Sequence, residues 1–331
     1  MHVGLAGAGR IGAFHATVLN EAPQVTRLSV ADVDAPRARR LAAAVGAGHY
    51  DSAEELIDSD LDAIVIAAAT PAHAALLHRA IDAGVAAFCE KPIALDLPAT
   101  DSVVEHVNRK GAFVQLGFQR RFDAGYRAAR EAVRSDRVGV VYLVRLAGHD
   151  PAPPPEQYIA DSGGIFRDLC IHDFDVAPWV LGQQVSEVYA DGFAHDPVFE
   201  RHGDADTAGA VLRFDGGTLG ILSALRHDPR GYDIRMELFG SRDTVSVGLA
   251  AKTPMRSLEP GVAEPSQPGY QDFMERFREA YRAELDAFLT CVSAGGESPC
   301  RVEDGRRALL VALAADRSRR ERRPVAVSEV A

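Results

Sequence analysis

Apolar positions in the first third of the chain fall into short solid runs, at 3–6, 27–31, 63–68, 85–89 and 113–117. Uninterrupted runs of this length suit strands buried on both faces of a parallel sheet. Between them, 11–20, 36–45, 71–83 and 97–109 read as helices. Pro36 stands near the start of one, and Gly84 and Gly111 stand where left-handed C-caps belong. Strand–helix alternation of this kind predicts a doubly wound α/β domain over residues 1–118.

The pattern changes after residue 118. A helix is expected over 122–134 and a strand over 138–147, which runs into Asp150-Pro151-Ala152-Pro153-Pro154-Pro155. A single helix is expected over 165–181. Adjacent strand-like runs follow at 185–193, 208–214, 218–225, 234–239 and 244–247, with Gly216-Gly217 as a hairpin signal. They predict an α+β domain with a largely antiparallel open sheet over 119–331. The Pro- and Gly-rich stretch 250–270 reads as a long surface loop. Helices over 273–292 and 302–321 close the chain.

Composition narrows the function classes. The 331 residues suit two domains, and 47% apolar content is enough for full cores. No apolar stretch reaches membrane-spanning length, and the N-terminus enters a strand without a basic and apolar leader, so a cytoplasmic protein is expected. The formal charge is −11, with no basic stripe interleaved with aromatics, which argues against nucleic acid. Arg317, Arg319, Arg320, Arg322 and Arg323 cluster at a helix C-terminus, where they complement its dipole. An acidic surface suits a neutral substrate better than an anionic one. Cys89, Cys170, Cys291 and Cys300 form no CxxC and read as reduced, packed thiols.

Gly7-Ala8-Gly9-Arg10-Ile11-Gly12 lies directly between strand and helix. The first glycine allows the tight turn, the second lets backbone approach a pyrophosphate, and the third lets helix and strand pack closely. Asp32 ends the second strand, where a carboxylate bonds ribose hydroxyls and repels a 2′-phosphate. A Rossmann domain binding NAD in preference to NADP is therefore expected. Arg37, Arg39 and Arg40 read as a solvated helix face. Thr70 and His73, at the start of the helix after the third core strand, and Glu90 are further candidate cofactor contacts.

Glu90-Lys91-Pro92 follows a buried strand at its C-terminal edge, where ligands bind in open α/β sheets. An ammonium there can stabilise an oxygen that gains negative charge. Asp168 and His172 are four residues apart, so a continuous helix puts both on one face, within reach of a hydrogen bond. A carboxylate that orients a histidine makes a proton-transfer base. Asp168, His172 and Asp175 also offer metal-ligand atoms, but hydride transfer needs no metal, and none is expected.

These motifs together resemble the glucose–fructose oxidoreductase/inositol dehydrogenase/MocA family over nearly the whole chain. Narrower runs are similar to its inositol 2-dehydrogenases: 119–123, 150–155, 162–168, 171–175, 281–288 and 303–305. His149, Leu169-Cys170 and Pro178 depart from that pattern, with Pro178 expected to interrupt a helix. The resemblance implies a catalytic trio of Lys91, Asp168 and His172. It implies a substrate pocket lined by Arg121, Asp150 and Tyr232, with Arg120 as a neighbour of Arg121. It also implies NAD-dependent oxidation of a cyclic polyol, foremost myo-inositol to 2-keto-myo-inositol (scyllo-inosose), by a homotetramer or dimer. Alternatives are scyllo-inositol, another cyclitol or a glucose-type pyranose as substrate, or a dinucleotide-dependent regulator without turnover.

Overall fold

The computed structural model describes residues Met1–Ala331. The chain divides into two compact units, the first being Met1–Gln119 with Glu279–Arg307 and the second Arg120–Arg278 with Ala308–Ala331. The stretch 279–307 thus belongs with the N-terminal unit and not with the rest of the chain after 118.

The first unit holds strands β1 (His2–Ala6), β2 (Arg27–Ala31), β3 (Gly48–His49), β4 (Ala63–Ile66), β5 (Ala86–Glu90) and β6 (Val114–Gly117). Its helices are α1 (Arg10–Glu21), α2 (Ala35–Val45), α3 (Ala53–Ile57), α4 (Thr70–Asp82) and α5 (Leu97–Lys110). The strands form one parallel sheet in the order β3-β2-β1-β4-β5-β6. Every residue of β1 and β4 is buried, which is why their sequences carry no polar alternation. Asp34 and Asp96 cap α2 and α5, and Gly46 and Gly111 end them in the left-handed conformation. Strand order reverses between β1 and β4, so a crevice opens beyond their C-terminal ends. The glycine loop, Thr70 and the 90–92 turn all lie at that edge.

The second unit contributes α6 (Ala124–Arg134), β7 (Val141–His149), α7 (Glu156–Asp161), α8 (Ile165–Asp168), α9 (Ile171–Leu181), β8 (Val185–Phe193) and α10 (Pro197–Arg201). It continues with β9 (Thr207–Phe214), β10 (Leu219–Leu225), β11 (Asp233–Gly240) and β12 (Thr244–Val247). Helices α11 (Phe273–Ala294) and α12 (Val302–Glu321) run from one unit into the other, and α11 is broken by non-helical dihedrals at Phe277. The last strand is β13 (Val325–Ala326). The second sheet has seven strands, ordered β12-β11-β7-β10-β9-β8-β13, and only β7 and β10 run parallel. One face buries Val144, Leu146, Val188, Leu212, Leu222 and Met236. The other exposes Tyr142, Tyr189, Val211, Leu219 and Ile221.

Two local expectations change. The run expected as one helix over 165–181 is two, α8 and α9, separated at Leu169 and Cys170. Helix α9 then continues through Pro178 to a left-handed Gly182, so the proline does not end it. The loss at Pro178 is one amide donor, and the surrounding Phe174, Val176, Ala177 and Val180 are all buried.

Candidate active site

Gly7 leaves β1 with φ +110°, and a Cβ there would lie 2.4 Å from the Ala67 carbonyl oxygen. At Gly12 a Cβ would lie 2.0 Å from the Gly7 oxygen, so the first turn of α1 can close on the loop only with glycine. A Cβ on Gly9 would meet nothing within 4 Å. The loop is therefore closed on the protein side and open above Gly9. No side chain caps α1, which leaves its first N–H groups facing that opening. Asp32 is buried and braces the loop: Oδ2 accepts from Ala8 N at 2.6 Å and Oδ1 from Asp34 N at 2.8 Å. A carboxylate has about four acceptor positions, so these bonds leave capacity for ribose hydroxyls. Arg37 lies 3.3 Å from Asp34 and 3.9 Å from Asp32. Arg10 is exposed and Ile11 half-buried at the start of α1. This closed loop, bare helix end and braced acid fit an NAD pyrophosphate and adenosine ribose.

The turn after β5 has a cis Lys91–Pro92 peptide bond. Buried histidines from two helices hold the residues on either side of Lys91. His73 on α4 places Nδ1 2.7 Å from the Pro92 carbonyl oxygen and Nε2 3.0 Å from that of Ala68. Its ring is 1% exposed, with both nitrogens against backbone. This corrects His73 as a cofactor contact, because no ring nitrogen is left to offer. Burial, foremost, holds its pKa below the ordinary histidine value, against the pull of the two carbonyls. Glu90 has one carboxyl oxygen engaged: its Oε1 takes the His15 Nε2 hydrogen bond at 2.7 Å. Thr70 is the first residue of α4 rather than its cap; Ala69 occupies the cap position and supplies no side-chain bond.

In the second unit, Asp168 ends α8 and His172 lies in the first turn of α9. Tyr158 Oη on α7 donates to Asp168 Oδ1 at 2.7 Å, and Arg226 Nη2 donates to Oδ2 at 2.6 Å. The same guanidinium donates through Nη1 to Asp150 Oδ2 at 2.6 Å. One buried arginine thus bridges Asp150 and Asp168. The Arg226 pKa is raised, because attraction to Asp168 and then Asp150 outweighs the burial that would lower it. Tyr158 is 48% exposed, but its hydroxyl is turned inward onto Asp168, and desolvation there, followed by the Asp168 charge, raises the phenol above the usual tyrosine range. The sequence reading missed both residues. Arg226 had a signal: Leu222, Ala224 and Arg226 share a parity that continues the buried face of β10.

The family resemblance puts Arg121 in the lining of the substrate pocket. Its fork closes on Asp175, with Nε 2.9 Å from Oδ2 and Nη2 2.5 Å from Oδ1, beneath the Trp179 ring. Arg120 makes the parallel pair with Asp173 at 2.6 Å, both fully buried. Burial raises the Asp173 pKa against the opposing pull of Arg120. Alternate acids of α9 therefore clamp the 119–122 turn onto the helix. Tyr232 is buried edge-on to Phe277, with its amide bonded to the Tyr270 carbonyl at 2.7 Å.

The chain is also similar to known proteins. Residues 1–118 match the family model "Oxidoreductase family, NAD-binding Rossmann fold", and residues 126–246 match the "GFO/IDH/MocA C-terminal domain". A myo-inositol 2-dehydrogenase of Thermotoga maritima is 37% identical over 100% of this chain and 99% of its own. The myo-inositol dehydrogenase Hyg17 of Streptomyces leeuwenhoekii is 39% identical over 96% of this chain and 97% of its own. Among solved structures, the scyllo-inositol dehydrogenase of Lactobacillus casei, with NAD(H) and scyllo-inositol bound, superposes with a TM-score of 0.90 at 27% identity, covering 99% of each chain.

Proposed function

The chain belongs to the GFO/IDH/MocA oxidoreductase family, and within it we propose an NAD-dependent inositol 2-dehydrogenase that oxidises myo-inositol to 2-keto-myo-inositol (scyllo-inosose). The observation that carries this reading is the Asp150–Arg226–Asp168 bridge. Two fixed carboxylates share one guanidinium, so the group keeps net negative charge and acceptor capacity. That suits a neutral ligand rich in hydroxyl donors and disfavours an anionic one.

In this reading His172 takes the hydroxyl proton, and the Asp168 charge favours the imidazolium that forms. Lys91 stabilises the developing alkoxide. Asp150, Arg121 and Tyr232 shape the pocket, Arg121 through its hold on Asp175. Bound NAD supplies the hydride acceptor, and Gly7, Gly9, Gly12 and Asp32 position it. No helix is long and apolar enough to cross a membrane. We place the enzyme in the cytoplasm as a homo-oligomer, a tetramer or dimer.

The test is NADH formation over a panel of myo-inositol, scyllo-inositol and glucose. Turnover of myo-inositol with the highest kcat/KM is expected. Preference for scyllo-inositol, the ligand of the Lactobacillus casei relative, would shift the substrate and keep the chemistry. No NADH from any of them would favour the non-catalytic regulator. Lys91→Ala and His172→Ala should each lower kcat by roughly 10²–10⁴-fold, with the NAD Kd unchanged. Turnover near wild type in either variant would remove that residue from the chemistry.

A further inference from the structure

Behind the glycine loop of the first unit lies a second ionisable cluster, formed by His15 on α1, Glu90 at the end of β5 and Glu284 on α11. One ligand atom from each lies within 4.8 Å of the others. Glu284 is fully buried, on the helix face whose Leu285, Phe288 and Leu289 join the core beside Phe88. Neither of its carboxyl oxygens has a hydrogen-bond partner among the protein groups. Phe14, Phe88 and Tyr281 close around the His15 ring at 5.7–6.1 Å. The Glu90 carboxyl lies over its register partner Gly117, where a Cβ would be only 3.0 Å from Oε2. These three groups sit among the rings of Phe14, Phe88 and Tyr281, and the charge that bears on Glu284 is that of Glu90.

We propose that Glu284 is a neutral carboxylic acid that shares its proton with the Glu90 carboxylate, and that this pair, with His15, sets the position of Lys91. A fully buried carboxyl beside a half-buried carboxylate is strongly disfavoured as a second anion unless a cation lies between them. Retaining one proton satisfies both: the acid donates, and the carboxylate accepts from it and from His15 Nε2–H. Burial first, and then the Glu90 charge, push the Glu284 pKa well above the carboxylate range, as this arrangement requires. With Glu90 fixed from α1 and α11, and Pro92 fixed by His73 from α4, Lys91 is held between two anchored neighbours. Helices α1 and α4 are also those whose N-termini face the cofactor crevice. Glu284 is thus a positioning residue for the lysine, and its effect on turnover rests on the function proposed above.

The experiment compares Glu284→Gln with Glu284→Ala in the full chain. A glutamine amide can still donate to Glu90, so Glu284→Gln should keep kcat within about threefold of wild type. Glu284→Ala should lose roughly tenfold to a hundredfold in kcat, with the NAD Kd unchanged. Infrared spectra give a readout independent of turnover: the wild type should show a protonated-carboxyl stretch near neutral pH that Glu284→Gln removes. Even if every polyol assay failed, this band would report the shared proton. If Glu284→Ala does not fold, the band and the glutamine variant still decide. Equal loss in both variants, absence of the band, or stoichiometric copurification of a divalent metal that Glu284→Gln abolishes would each overturn the proposal. The last outcome would make the cluster a cation site with Glu284 ionised.

Discussion

Arg226 is the residue on which the second unit's acidic chemistry most depends. Removing it would leave Asp150 and Asp168 close together with their shared countercharge gone. Loss of one partner from a buried pair costs about 3–5 kcal/mol, and Arg226→Met should fall in that range by denaturant unfolding. Arg226→Lys keeps the charge, but a point ammonium cannot span both carboxylates, so it should fold better and still turn over slowly. The pH profile separates the two roles. Without the guanidinium, Asp168 becomes easier to protonate, so the acid limb of kcat/KM should move to higher pH. A profile that keeps its shape in Arg226→Met, where the charge is gone, would make the bridge purely structural. Tyr158→Phe removes a single bond to the same carboxylate, costing about 1.5–3 kcal/mol, and should move the limb less.

The turns that carry the first unit's chemistry place the next expectations. Gly12→Ala drives a methyl to 2.0 Å from the Gly7 oxygen, so the α1 turn must open. NAD affinity should fall steeply, as read by fluorescence titration. His73 gives a pH signature. Its folded pKa lies below the ordinary value of 6.5, so the folded state binds fewer protons than the unfolded chain beneath that pH. Stability should be complete above about 6.5 and decline as pH falls toward the depressed value. Thermal melts of His73→Gln should show a flatter decline; identical slopes would remove His73 as the cause. The sequence made these elements legible because parallel strands are solid apolar runs and the helices carry Asp or Gly at their ends. It did not show β3, whose two residues pair only with Ser29 and Val30, or the helix break at Leu169. It found the loop and the acid Asp32 by local spacing, but not where Glu90 and Arg121 point. Their partners are 75 and 54 residues away, and Asp150 and Asp168 lie 76 and 58 from Arg226. Contacts of that range leave no periodicity to read.

The second sheet carries the case for assembly. Its strands alternate, and the odd-numbered positions of β8, β9 and β10 form the uncovered face. Register aligns Tyr189 with Val211 and Val211 with Ile221, giving an apolar row across three strands. These residues remain 42%, 43% and 44% exposed, with Tyr142, Phe193 and Leu219 alongside. Scattered exposed apolar residues are ordinary, but a contiguous row marks a contact surface. A flat twisted sheet face is self-complementary, so a second copy of the chain is the simplest cover. Light scattering of the wild type should then give a dimer or tetramer. Ile221→Glu buries a charge at the centre of the row and should shift the population toward monomer, at the same NAD Kd, because the glycine loop belongs to the other unit. An unchanged mass in Ile221→Glu would mean that the copies meet elsewhere, and a monomeric wild type would leave the row for a different partner.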